Sequence, residues 1–311
     1  MSVHNVIRFI RANKKCWIRP DVWTNSVANT ACNKPSQLTV FFPESAVDRR
    51  FLVFVTSLLL AFTCQSIDAA VNSVCPSHKP DTYVRLGHVI DGDTVVLANG
   101  ERLRLIGIDT PEIGYDGKRA QAGAIKARDF LQDQLNSKEL YPLKRGIEQR
   151  DRYGRSLGHL FLSDGTNLQA LILAQGYATP LNLPPNLEYS DCYQQQAHKA
   201  IEAGLGLWKL EQYQPRSVIR LTGAELGYRV IFGRVSSIGN SSSSVWLNMN
   251  KFLAINIQRS DLPYFPDLEF AELVGRDIQV RGMLYRRNQQ LRLRLRHHAD
   301  LQITDDSMTS E

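Results

Sequence analysis

Asn99-Gly100 stands between two apolar runs, Val95-Val96-Leu97 before it and Leu103 and Leu105 after it. Both residues accept the left-handed backbone that a tight hairpin turn demands, so the pair predicts two antiparallel strands joined there. Leu103 and Leu105 alternate with Arg102 and Arg104, which puts the leucines on one face and the arginines on the other. The second strand must end at Asp109-Thr110-Pro111, because proline has no N–H to give to a sheet ladder. Upstream, Val84 and Leu86 flank Arg85 in a further strand that begins at Tyr83.

The pattern then changes period. Across residues 118–136, Ala120, Ala124, Ala127, Leu131 and Leu135 mark one helical face. Strands are expected at 140–147 and 157–162, on either side of a turn at Asp151-Arg152-Tyr153-Gly154. A helix over 168–175 stops at Gly176, and another over 190–203 closes with Gly204, Gly206 and Trp208. Three strands, a helix, two strands and two helices describe an α+β domain around a small barrel, over residues 83–208. Residues 209–217 read as a linker. Beyond it, strands at 218–221, 229–235, 245–249, 252–257, 277–285 and 291–295, with a short helix near 268–273, suggest a second small mostly-β domain. It would span 218–304 and could be a five-stranded, oligonucleotide-binding (OB-like) barrel. No internal repeat is obvious, and the acidic tail 305–311 is expected to be disordered. A chain of 311 residues suits two such domains.

The first seventy residues differ in kind. Arg49-Arg50 precedes an uncharged apolar run, 51–64, and small residues follow at Ala69-Ala70. The run is shorter than the ~20 apolar residues that span a bilayer. Residues 47–70 therefore read as a secretory signal peptide, with an uncleaved anchor or a buried helix as alternatives. Residues 1–46 are basic, with Asp21 and Glu44 their only acids, yet Trp17, Pro20, Trp23 and Pro35 break any amphipathic period. The favoured reading is that translation starts near Val47 and that 1–46 is an extension ahead of the true start. The formal net charge of +6 then says little about an acidic partner. Residues 1–70 hold 8 basic and 4 acidic side chains, whereas residues 81–212 hold 15 and 17. The expected destination is secreted or periplasmic, with a monomeric chain and no stable membrane partner once the signal is removed.

That trimming leaves two of the five cysteines, Cys75 in an amino-terminal arm (71–82) and Cys192. In an exported protein they are candidates for one disulfide; two free buried thiols are the alternative. No cysteine spacing fits a zinc site.

Four acids cluster at turns and strand ends: Asp91 and Asp93 in Asp-Gly-Asp-Thr, and Asp109 and Glu112 in Asp-Thr-Pro-Glu. Carboxylates brought together repel unless a cation neutralises them, and an all-oxygen set suits a hard ion such as Ca²⁺ or Mg²⁺. Arg104 lies on the strand that feeds into Asp109, and Arg155 follows the turn at 151–154. Guanidinium groups bind phosphate oxygens in bidentate fashion. Acids around a hard metal with two arginines converging on them suit phosphodiester hydrolysis. Taken singly, an Asp-Gly turn or an arginine on a strand is more often structural.

The ordered set VIDGDTVVL, RLRLIGIDTPE, DRYGRSLGHLFL, LILAQGYA and a final GLW resembles the staphylococcal nuclease (thermonuclease) family across about residues 83–208. The resemblance implies a five-stranded OB-type barrel with three helices, and cleavage of DNA and RNA that leaves 3′-phosphates. By it, Asp93, Asp109 and the main-chain carbonyl of Thr110 would hold Ca²⁺, with Asp91 close behind. Glu112 would orient or deprotonate the attacking water, and Arg104 and Arg155 would bind the phosphate. Arg152 stands where the family's prototype has a lysine, and Arg152 and Tyr153 are candidate substrate contacts. Leu181 and Leu183 take the places of prototype tyrosines near the bound nucleotide, which bears on base stacking. The rival readings are a noncatalytic nucleic-acid-binding module on the same fold and an envelope interaction protein.

The second domain carries no catalytic signature. Its arginines 292, 294 and 296 alternate with Leu291, Leu293 and Leu295, so one strand face is basic. Arg292, Arg294 and Arg296 are candidates to track a nucleic-acid backbone; polar residues on the solvent side of a strand are the plainer reading.

Overall fold

The computed structural model describes residues 75–304, except 77, 78, 115, 116, 250 and 252. The proposed leader, the apolar run with its signal-peptide reading, and the acidic tail lie outside the described residues. The first half runs β1 (Thr82–Val89), β2 (Thr94–Leu97), β3 (Arg102–Leu105), β4 (Ile108–Asp109), α1 (Ala124–Asp133), β5 (Leu140–Arg150), β6 (Ser156–Leu160), α2 (Leu168–Ala174), β7 (Thr179–Pro180) and α3 (Ser190–Glu202).

Five of these strands close into a barrel of order β1-β2-β3-β6-β5. The Asn99-Gly100 turn joins β2 to β3 as expected, with Gly100 at φ 85°. β3 pairs with β6 in parallel, and the remaining neighbours pair antiparallel. Leu86, Val95, Leu103, Leu105, Leu143 and Leu160 fill the interior, and Leu131 of α1, Ile172 of α2 and Tyr193 of α3 extend the same core. Burying such side chains stabilises by about 1.5–3 kcal/mol each. Cys75 and Cys192 are joined by a disulfide, Cα–Cα 5.7 Å, which ties the arm to α3.

The helix expected over 118–136 begins only at Ala124. Gly123 ahead of it is left-handed at φ 94°, and the Gln121 carboxamide accepts the backbone N–H of Glu112 at 3.0 Å. That stretch serves as a brace for the acidic loop rather than as a first helical turn.

The second half runs β8 (Pro215–Ser217), β9 (Gly227–Arg234), β10 (Ser237–Asn240), β11 (Ser244–Asn248), β12 (Leu253–Gln258), β13 (Asp277–Arg287), β14 (Gln290–Leu295) and β15 (Leu301–Thr304). Its sheet has the order β10-β11-β12-β14-β13-β9-β8, with β15 also on β13 and β12 parallel to β14. β9 and β10 stand at opposite ends of the run β10 to β9, yet only residues 235 and 236 separate them in the chain. The sheet must therefore curl back on itself. Taking β9 and β10 as one bent strand, the order and the single parallel pair repeat those of the first barrel, a relation that residue identity does not reveal.

Two expectations fail here. Residues 209–217 are not a free linker. Glu211–Tyr213 forms a 3-10 turn, and β8 pairs in parallel with β9. Leu207, Trp208 and Tyr213 pack with Ala200 of α3 and with Tyr228 and Val230 of β9, which joins the two halves through a shared apolar cluster. Residues 218–221, expected as a strand, form a 3-10 turn at Val218–Arg220, whereas the short helix expected near 268–273 is present as a 3-10 helix over Phe270–Leu273. Strands β10 and β15 were not expected: Ser237–Asn240 has Ile238 as its one apolar side chain, and Leu301–Thr304 offers a single Leu–Ile alternation.

Candidate active site

The loop between β1 and β2 carries Asp91-Gly92-Asp93. Asp91 Oδ1 accepts the N–H of Asp93 at 3.0 Å, which folds the loop on itself. A Cβ on Gly92 would lie 2.7 Å from Ala127 Cβ and 2.8 Å from Thr110 Cγ2, so only glycine lets this loop press against both α1 and the end of β4. The Asp93 carboxylate is buried and fully engaged. Its Oδ1 accepts from the Thr94 hydroxyl at 3.0 Å, and its Oδ2 accepts from the Thr110 N–H at 2.9 Å and the Thr110 hydroxyl at 3.1 Å.

Gly107, at φ 83°, turns the chain out of β3 and into β4, which pairs with β7 instead of continuing the barrel. This turn brings Asp109 back over the β3 arginine. Arg104 Nη1 donates to the carbonyls of Leu105 at 2.8 Å and Ile108 at 2.9 Å. Its Nη2 lies 3.0 Å from Asp93 Oδ2 and 3.1 Å from Asp109 Oδ1. Two carboxylates, one from the β1–β2 loop and one from β4, therefore converge on one positively charged nitrogen.

The electrostatics report crowding of negative charge. Burial, then the neighbouring Asp93, pushes the Asp91 carboxyl up to about 7. Burial pushes Asp109 up to about 6 against the pull of Arg104, with Asp93 and Glu112 adding to the rise and Arg155 opposing it. Glu112 itself is exposed.

Arg155 is held from its own turn. Asp151 Oδ1 accepts the N–H groups of Tyr153 and Arg155, both at 2.9 Å, while Asp151 Oδ2 meets Arg155 Nε at 2.7 Å. Asp151 had been seen only as a turn residue. The signal was the four-residue spacing to Arg155 across a turn ending in glycine. Tyr153 is 68% exposed, with the guanidinium carbons of Arg152 and Arg155 at 4.8 and 5.6 Å from its ring centre.

The residues present fit a hard cation in part by their own chemistry. The donors are all oxygen, and Asp93 and Asp109 already meet around a positive charge. Among the described residues, no three His, Cys, Asp or Glu side chains converge to hold a metal unaided. A cation here would complete its shell with a main-chain carbonyl and water, as Ca²⁺ and Mg²⁺ commonly do.

The basic strand is placed differently from the other candidates. Arg294 Nη2 pairs with Asp261 Oδ2 at 2.7 Å, Arg296 Nη2 approaches Asp261 Oδ1 at 3.4 Å, and Arg292 lies 4.8 Å over the Trp246 ring. None of the three touches Asp93 or Arg104. Arg294 and Arg296 do line a cleft of about 200 Å³ together with Asp109, Leu181, Leu183 and Met283. The two leucines in place of aromatic rings are on its wall, Leu183 at 43% exposure.

A family model described as staphylococcal nuclease homologue matches residues 102–210. The chain is 31% identical to a thermonuclease of Staphylococcus intermedius over 45% of its own length and 86% of that protein's. It is 25% identical to a thermonuclease of Staphylococcus hyicus over 50% of its own length and 95% of the relative's. It also matches endonuclease YhcR of Bacillus subtilis at 30% identity over 64% of this chain and 17% of that protein, a stretch of 212 residues that exceeds the first barrel. The five-stranded barrel and the match to nearly the whole of a thermonuclease agree, and the chain belongs to the family of staphylococcal nuclease homologues.

Proposed function

We propose that this chain is a Ca²⁺-dependent nuclease that hydrolyses DNA and RNA by attack of water on phosphorus, breaking the bond to the 5′-oxygen and leaving a 3′-phosphate. The coarser statement stands on the family: the chain is a phosphodiester-hydrolysing nuclease. The observation that carries the finer reading is the convergence of Asp93 and Asp109 on the Arg104 nitrogen.

In this reading Asp93, Asp109 and the Thr110 carbonyl hold the cation, and Asp91 braces Asp93 through its backbone. A bound Ca²⁺ neutralises the scissile phosphate and stabilises the charge that builds on it. Glu112, three residues beyond Asp109 in the chain, takes the proton of the attacking water. Arg104 and Arg155 meet the phosphate oxygens where negative charge grows in the transition state. Arg104 leaves its carboxylate partners through Nη2 while Nη1 stays anchored on two carbonyls. Arg152 and Tyr153 contact the substrate beside Arg155. Export to the periplasm or the medium is supported by the 49–64 pattern and by a disulfide, which persists in oxidising compartments.

The deciding experiment is digestion of DNA and RNA with and without Ca²⁺, by the wild type and by Glu112→Ala. Cleavage abolished by chelator and by the substitution is expected. Cleavage that survives both would overturn the reading and favour a binding module on the same fold.

A further inference from the structure

The solvent face of the second barrel combines aromatic rings with arginines in register. Tyr285 on β13 stands opposite Arg292 on β14, and Arg292 pairs with Ala254 on β12. Asn248 on β11 is the next partner in that row, and Trp246 lies two residues along β11 on the same face. The Arg292 guanidinium crosses to Trp246, 4.8 Å above its ring. Met283, Tyr285 and Arg287 share one side of β13, and Met283 and Tyr285 are 54% and 39% exposed. Arg294 and Arg296 share a single buried carboxylate, Asp261, so the trio keeps a net positive charge. Residues 213–304 hold 13 basic and 7 acidic side chains, against 15 and 17 over residues 81–212.

This face is continuous with the candidate active site. Met283 and Arg294 belong both to the sheet face and to the cleft that Asp109 lines. The relative placement is fixed by Asn182 Nδ2 donating to Asp300 Oδ1 at 2.9 Å, which ties the segment after β7 to the turn before β15.

We propose that the β11–β12–β14–β13 face binds single-stranded nucleic acid and leads it into the cleft at Asp109. Rings on a sheet stack on unpaired bases, which a duplex hides, and flanking arginines track the backbone. Tyr285 is exposed, while Trp246 is half-buried under Arg292 and opens to a base when that guanidinium turns to a phosphate. The leucines at 181 and 183 leave the cleft short of stacking surface, and Trp246 and Tyr285 supply it on the neighbouring wall. The face relies on the nuclease reading only for the direction in which the strand runs.

The test is equilibrium binding by the full chain in excess chelator, where nothing is cut. The probes are a labelled oligothymidylate and an oligouridylate of about 20 nucleotides, and a duplex of the same length. Wild type should bind both single strands more tightly than the duplex. Trp246→Ala and Tyr285→Ala should each weaken single-strand binding by about tenfold or more, and Tyr285→Phe should restore it. Arg287→Ala should lower the slope of log affinity against log salt by about 0.7. Tyr285 is exposed, so its variant tests the face even if Trp246→Ala unfolds. Unchanged affinity in a folded Tyr285→Ala, or equal affinity for duplex, would overturn the proposal. Strand binding without calcium-dependent cleavage would sink the nuclease reading alone. Cleavage with no loss on ring removal would sink this one alone.

Discussion

Arg104 Nη2 lies 3.1 Å from Asp109 Oδ1, and the same nitrogen is 3.0 Å from Asp93 Oδ2. Arg104 and Asp93 are both nearly enclosed, with side chains 11% and 7% exposed. Without the guanidinium the two carboxylates face each other with no counter-charge. Arg104→Gln should therefore cost about 3–5 kcal/mol of stability in chelator, the range for stripping a partner from a buried ion pair. Ca²⁺ at a hundred times the variant's own dissociation constant should stabilise Arg104→Gln by about 2.7 kcal/mol. Urea unfolding of the variant with and without Ca²⁺ measures this. No stabilisation of the folded variant by Ca²⁺ would remove the cation from this pair of carboxylates.

Asp151 grips Arg155 through two hydrogen bonds, one from the guanidinium Nε and one from the backbone N–H, and accepts a third from the Tyr153 N–H in the same turn. It touches no other part of the site, so it is a positioning residue. Asp151→Asn keeps the acceptor oxygen that caps the turn but loses the charge that aims the guanidinium. Turnover should fall by about tenfold to a hundredfold with KM little changed, whereas Arg155→Ala should fall by about 10²–10³. Addition of guanidinium ion should partly rescue Arg155→Ala and leave Asp151→Asn unmoved. A matching rescue of both would reduce Asp151 to a turn residue.

The acids and Arg104 were legible in the sequence because one hairpin places them. Asn99-Gly100 fixes the register of β2 on β3, which sets Asp93 beside Arg104, and the Gly107 turn beyond the end of that pairing returns Asp109 to the same arginine. Pairings set by tertiary packing left no such mark. Asp261 reaches Arg294 and Arg296 across 33 and 35 residues with no local pattern to announce it, so the basic strand looked freer than it is. The supposed linker failed for the same reason. Trp208, Tyr213 and Tyr228 are aromatic residues scattered among polar ones, and only their meeting in space makes a core. The repeated strand order was hidden because topology constrains which strands neighbour one another, not which residues fill them.

Cys75 and Cys192 close a loop of 117 residues that contains nearly all of the first barrel. Cross-linking a loop of that length removes unfolded-chain entropy worth about 4–5 kcal/mol in the chain-entropy limit, and measured effects run at about 2–4. Cys192→Ser should lower stability by that measured amount while leaving turnover at saturating Ca²⁺ within about twofold, since neither sulfur is near Asp93 or Arg155. Chemical denaturation of the oxidised wild type against the variant decides it. An unchanged midpoint would mean that the arm adds nothing to the barrel.

His159 is buried beneath α2 and α3, where Gln169 Nε2 approaches its Nδ1 at 3.3 Å and the Tyr193 hydroxyl at 2.8 Å. Burial, with the Lys144 charge adding to it, pushes the imidazole down to about 3. The unfolded chain titrates near 6.5 and so binds the extra proton first as pH falls. Stability is thus complete above about 6.5 and is lost as pH drops toward 3, at about 1.4 kcal/mol per pH unit. Between pH 7.5 and 5, the wild type should lose about 2 kcal/mol more than His159→Gln, which has no such proton to bind. Urea unfolding of both proteins in chelator at the two pH values gives this difference directly, since other groups contribute equally to each. Parallel losses in the two proteins would mean that His159 takes up its proton without leaving the fold.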